Sequence, residues 1–351
     1  MSDQPLRVNP EMVRLARESR ELTQTDLARL LGVPQSKISK IEAALLEPSG
    51  SELERLARLL DRPIEFFTWT DPVYGFATYE MFHRRRQKVG VRTLTRNHAE
   101  MNIRQMQLER LLRSAEIESD GFQRIDPDEY DGDVEQVARA VRAAWQLPPG
   151  PVKNIAQLIE EAGGVIIPYD FGTRQIDAAS QWLPHLPPVF FVNTQFPADR
   201  VRLSLAHEMG HLIMHRTVEP NSEGEATLFA AEFLMPAKDI RHELRDLTLP
   251  LLARLKSYWR VSMAALAVRA HGLDTISDRQ YRRFMMRLQQ LGYRKREPVE
   301  IEPEIPTVFQ SLIELHMNEL DYSSSDLARF LGEPNIEVLY PRRWGNLTVV
   351  S

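Results

Sequence analysis

The chain has 351 residues, 43% hydrophobic and 26% charged, with 44 Lys and Arg against 49 Asp and Glu. That is more than one ordinary domain needs, and the net charge of −5 excludes wholesale coating of nucleic acid while leaving room for a local basic face. With no Cys, disulfides and thiolate metal sites are excluded; no apolar run reaches membrane-span length and no secretory leader opens the chain, so the expected setting is cytoplasmic, with no membrane partner.

Residues 9 to about 68 read as five short helices. Asn9 caps and Pro10 opens the first, which runs to about Arg20. Gln24 to Gly32 forms the second, and Gly32 supplies the left-handed residue that ends it. After the turn Val33-Pro34 comes Gln35 to Glu42, and then Ser51 to Leu60 and Pro63 to Phe67. A helix-turn-helix needs a small residue where its helices cross, a Gly in the turn and apolar anchors under the second helix; Ala28, Gly32, Ile38 and Ile41 fill those places. The outward Gln35, Ser36, Lys37 and Lys40 can reach base edges or phosphates in a major groove. This stretch resembles the DNA-binding domain of phage-repressor-like (XRE/Cro) regulators. The resemblance implies that Gln24 and Gln35 touch double-stranded operator DNA, Gln24 at phosphate. Residues 1–70 hold about as many acids as bases, so a homodimer that doubles the contacts is implied.

Next comes a run without acids, from Phe82 through Arg84, Arg85, Arg86, Lys88 and Arg92 to His98. From Asn97 to about Glu118 the pattern is a long helix, expected to link domains or pair subunits; Asp120 to Asp133 reads as linker. Asp133 to Gln146 is amphipathic, Asn154 to Ala162 is helical until Gly163-Gly164, and Val165 to Tyr169 and Val189 to Val192 read as strands. Tyr169, ending a strand, reads as core rather than as a reaction-site group.

The densest chemistry lies in Leu203-Ser-Leu-Ala-His207-Glu208-Met-Gly-His211-Leu-Ile-Met-His215. Residues four apart share a helix face, so His207 and His211 can offer two imidazole nitrogens to one metal ion, with Glu208 beside it as a general base for water. His215 lies one turn too far along and reads as a neighbour of the site or a structural residue. A third ligand is expected from Glu223-Gly-Glu225-Ala-Thr-Leu-Phe-Ala-Ala-Glu232-Phe-Leu-Met-Pro236, where Glu225 and Glu232, seven apart, both qualify. The strand Val189 to Asn193, Arg200 to His211 and Glu225 to Pro236 together resemble the ImmA/IrrE family of metallo-endopeptidases. By that resemblance the metal, Zn²⁺ or Mn²⁺, is held by His207, His211 and Glu225, with Glu208 as base. Thr227 stands where the family often has Asn.

Helices follow at Leu249 to Trp259, Ser262 to Gly272 and Asp278 to Leu291, then a charged, extended connection from Arg294 to Pro306. Near the end, Ser325-Asp-Leu-Ala-Arg-Phe-Leu-Gly332-Glu-Pro334 echoes Thr25-Asp-Leu-Ala-Arg-Leu-Leu-Gly32-Val-Pro34. The residues after it lack outward bases, so the copy is expected to pack or to contact protein. The expected fold is mainly α, α+β overall: a five-helix helix-turn-helix domain (1–70), a basic and helical connector (71–132), a zincin-like α+β peptidase domain with a small sheet (133–245) and a helical C-terminal region (246–351). The expected function is a DNA-binding regulator whose peptidase cleaves a specific repressor or antitoxin; the alternative is a transcription factor whose peptidase-like domain is a non-catalytic ligand or stress sensor.

Overall fold

A computed structural model of the chain describes residues 7–75, 89–117, 121–217 and 219–339. The basic run between 82 and 88 lies outside them. The chain divides into two units. Unit 1 comprises Met1–Ile117, Phe171–Gln175 and Val308–Arg342; unit 2 takes Glu118–Asp170 and Ile176–Thr307.

Unit 1 begins with α1 (Pro10–Ser19), α2 (Gln24–Leu31), α3 (Gln35–Glu42), α4 (Gly50–Leu60), a 3₁₀ turn over Ile64–Thr68 and α5 (Val91–Leu111). Asn9 accepts from the Glu11 N–H at the start of α1, and Thr23 and Asp26 cap α2 reciprocally. Met12, Leu15, Leu27, Leu31, Ile38, Leu56 and Phe66 close one core. The α5 helix starts at Val91, six residues before the expected Asn97, because Gly90 is the cap. Its middle is part of the core of unit 1 rather than a free connection: Ala99, Ile103 and Met106 belong to the same core, and Asn102, Gln105 and Gln107 are buried with them. With polar Asn102, Gln105 and Gln107 buried beside its apolar residues, the helix shows no clean polar face, which is why its pattern suggests a connector.

Unit 2 contains α6 (Val134–Ala144), α7 (Ile155–Glu161), β1 (Val165–Tyr169), β2 (Ala178–Gln181), β3 (Val189–Asn193), α8 (Ala198–Met214), α9 (Ser222–Leu234), α10 (Ala237–Ile240), α11 (Leu249–Trp259), α12 (Met263–Gly272) and α13 (Asp278–Gln290). The sheet order is β1-β3-β2, with β1 parallel and β2 antiparallel to the buried central strand. Sequence reading missed β2, because Ala-Ala-Ser-Gln has none of the β-branched or aromatic residues that mark a strand; pairing with β3 makes it one. Helices α8 and α9 pack closely at Gly210, where a Cβ would lie 3.1 Å from the Phe229 ring. The extended connection carries two carboxylates inward. Glu297 meets Lys256, which also holds Asp199 at the start of α8, while Glu304 pairs with Arg202 and accepts from the first N–H groups of α7. Glu232, one of the two carboxylates considered as metal ligands, is fully buried between Arg139 and Arg269.

The chain then rejoins unit 1 through α14 (Val308–Asn318), α15 (Ser324–Phe330) and a 3₁₀ turn over Ile336–Leu339. Glu333 is buried on Arg62 and Arg104, and a Cβ at Gly332 would lie 2.6 Å from the Phe66 ring and 2.7 Å from Trp69. Among the described residues no helix is long and apolar enough to cross a membrane.

Candidate metal centre and nucleic-acid face

Helix α8 brings His207 and His211 onto one face, with their Nε2 atoms 3.1 Å apart. The carboxylate that joins them is Glu223, in the first turn of α9: its Oε1 lies 3.1 Å from His211 Nε2 and 3.7 Å from His207 Nε2. Two nitrogens and an oxygen each about 2.0–2.1 Å from a tetrahedral ion stand about 3.3 Å from one another. The observed separations bracket that spacing, so the donor set fits Zn²⁺ in both chemistry and size. The rings of His207, first, and His211 hold the Glu223 carboxyl well below the usual carboxylate range, leaving it an anionic donor. Thr227 completes the surround. Its hydroxyl donates to Glu223 O at 2.8 Å and lies 3.5 Å from His207 Nδ1, where it can accept that proton and turn Nε2 toward the cluster.

Glu225 is placed differently. Its Oε2 lies 2.9 Å from Nε2 of His215, whose Nδ1 is 3.0 Å from Nδ1 of His211. Two residues apart, Glu223 and Glu225 leave α9 in nearly opposite directions, and the register of α9 on α8 decides which carboxylate meets which imidazole. Spacing does not reveal that register. Burial lowers the pKa of His215 despite the neighbouring Glu225, which favours a neutral ring.

Glu208 lies one residue round from His207 and accepts a 2.6 Å hydrogen bond from the Ser180 hydroxyl. Ser180 sits on β2, the sheet edge next to α8, so strand and helix jointly fix the carboxylate. Sequence reasoning missed Ser180 because it missed the strand; an isolated Ser carries no signal of its own.

In unit 1, Gln35, Ser36 and Lys40 are exposed on α3 and Lys37 is half-buried. A polar chain positions Gln35. Arg17 donates to Glu42 at 2.6 Å, Gln24 Nε2 donates to Glu42 at 2.8 Å, and Gln35 Nε2 donates to Gln24 Oε1 at 2.8 Å. Gln35 keeps its own acceptor and a second N–H, the pair that suits an adenine edge. Lys37 is committed to Glu52 of α4, so Lys40 is the α3 cation better disposed to a phosphate.

Residues 13–67 match the family model of the helix-turn-helix, and residues 159–271 match that of the IrrE N-terminal-like domain, a metallopeptidase family. No curated protein matches the chain. It therefore joins a DNA-binding helix-turn-helix domain to an IrrE-like domain.

Proposed function

We propose that the chain is a DNA-binding regulator whose unit 2 is a metal-dependent endopeptidase acting on a regulatory protein such as a repressor or antitoxin, with His207, His211 and Glu223 as the metal ligands and Glu208 as the base. The observation that carries this reading is the convergence of three donor atoms beside a carboxylate held by the edge strand. Zn²⁺ or Mn²⁺ in such a set supplies Lewis acidity, acidifying water and polarising a peptide carbonyl. Glu208 takes the proton of the attacking water and delivers it to the leaving amine as the C–N bond breaks. Ser180 donates to one carboxylate oxygen and leaves the other for that proton. As the last strand in the sheet order, β2 suits an extended peptide laid antiparallel, with main-chain hydrogen bonds aligning the scissile bond beside Glu208. Gln35 and Gln24 read the operator and Lys40 contacts phosphate. A homodimer on a two-fold operator compensates for the modest charge of the head.

Glu208→Gln separates the parts. Elemental analysis should find metal in both variant and wild type, while cleavage of candidate repressors falls about 10²–10⁴-fold in the variant. Loss of metal in the variant would remove Glu208 from the role of base. Metal in both, with no cleavage by the wild type of any candidate, would favour a regulator that uses the site as a sensor.

A further inference from the structure

We infer that His215 and Glu225 are positioning residues for His211, which fix its tautomer and ring plane so that Nε2 alone faces His207 and Glu223. The inference rests on the metal-centre reading above and assigns Glu225 a role other than ligand.

One contact between the rings requires a proton. His211 Nδ1 and His215 Nδ1 lie 3.0 Å apart, so one donates and the other accepts. If His215 donated from Nδ1, its neutral ring would present the Nε2 lone pair to the Glu225 carboxylate at 2.9 Å, acceptor against acceptor. Protonating both its nitrogens would relieve that clash but would leave Nδ1 of His211 as the acceptor and put that ring's own proton on Nε2, which closes it to a metal. The arrangement that satisfies every atom runs one way. His211 Nδ1–H donates to His215 Nδ1, and His215 Nε2–H donates to Glu225. His211 is then left with Nε2 as its only lone pair, 3.1 Å from both His207 Nε2 and Glu223 Oε1.

The chain of hydrogen bonds spans both helices. His215 is the residue that caps α8, four beyond His211, and Glu225 stands in the first turn of α9, two beyond Glu223. The same pair of helices therefore delivers the donor set with one carboxylate and orients it with the other. An anionic acceptor at the end of such a chain raises the basicity of the ligating nitrogen.

The test uses the full-length protein and Zn²⁺ competed against a chelator. His211→Ala should abolish tight binding. His215→Leu and Glu225→Gln should each weaken it about 10–100-fold, and His215→Asn, which keeps an acceptor near the Nδ1 position, should restore most of the loss. In the metal-free wild type, imidazole nitrogen-15 shifts should show His215 protonated at Nε2 only and His211 protonated at Nδ1. Glu225→Gln is a near-isosteric change at a half-exposed residue, so its result does not depend on whether His215→Leu folds. Wild-type affinity in Glu225→Gln, or His215 protonated at Nδ1, would overturn the inference while the metal reading stands. Complete loss of Zn²⁺ in Glu225→Gln with none in His215→Leu would make Glu225 a direct ligand and would also overturn it. No Zn²⁺ binding by the wild type would bring down the metal-centre reading itself.

Discussion

The segments Thr23–Pro34 and Ser323–Pro334 are built alike to the level of single hydrogen bonds. Thr23 and Ser323 each accept from the N–H three residues on, at 3.1 Å in both, and Arg29 and Arg329 each pair with the Asp of their own cap. Gly32 and Gly332 end the helices in the same left-handed conformation, with φ of 69° and 64°. After the shared Pro the copies part. The first continues into α3 with Gln35, Ser36 and Lys40 exposed, and the second makes one 3₁₀ turn that buries Ile336 and Leu339. A cap and a turn specify how a helix begins and stops. The residues beyond the proline decide whether the unit meets DNA or its own core.

The largest expected effect distinguishes the copies by their charges. Glu333→Gln takes the shared carboxylate from Arg104 and leaves buried Arg62 with Glu100 alone, and should cost about 3–5 kcal/mol in denaturant unfolding at pH 7. Burial alone would raise the Glu333 pKa, but Arg62 and Arg104 outweigh it, and the net value lies below the ordinary 4.5. A carboxyl with a depressed folded-state pKa contributes its stability above the unfolded value and loses it as pH falls through the folded one. The gap between wild type and variant should therefore narrow below about pH 4; a gap unchanged at pH 3 would mean the ion pairs are not its source.

The two glycines differ just as clearly. Gly332→Ala forces a methyl against Phe66 and Trp69 in addition to left-handed strain, whereas the nearest atom to a Cβ at Gly32 is Arg55 Nη2, 3.9 Å away. Melting should register about 2–4 kcal/mol for Gly332→Ala and about 1 kcal/mol for Gly32→Ala. Equal costs would mean that the tail copy does not pack as described.

Smaller effects belong to the first copy alone. Gln35→Ala should lose about 1–3 kcal/mol of discrimination at one operator base pair, while the equivalent Asn335→Ala should change nothing in a DNA titration. Lys40→Ala should lower the salt slope of binding by about one, and Lys37→Ala by less, because Glu52 already holds that cation. A larger effect from Lys37 would show that its ion pair opens on DNA.

Much of this was legible from local spacing. Caps, turns and the pair His207 and His211 are set by neighbours three or four residues away, and a sequence displays those distances directly. What escaped depends on contacts between elements. Glu223 replaces Glu225 at the histidine pair through the packing of Gly210 on Phe229, Ser180 reaches Glu208 through a strand with no strand-like residues, and Glu52 reaches Lys37 from another helix.

One topological fact extends beyond either site. Apart from the short stretch Phe171–Gln175, unit 1 stops at Ile117 and resumes at Val308, so most of unit 2 is a long insertion within it. For unit 1 to fold around an unfolded insertion of about 190 residues, the chain must close a loop that costs about 4–5 kcal/mol. A folded insertion has already made that closure. On the metal-centre reading, a chelator that loosens unit 2 should therefore lower the melting point of the DNA-binding head, read as loss of DNA binding on heating. The DNA-binding head would then respond to the integrity of unit 2 through the entropy of the chain that joins its two parts.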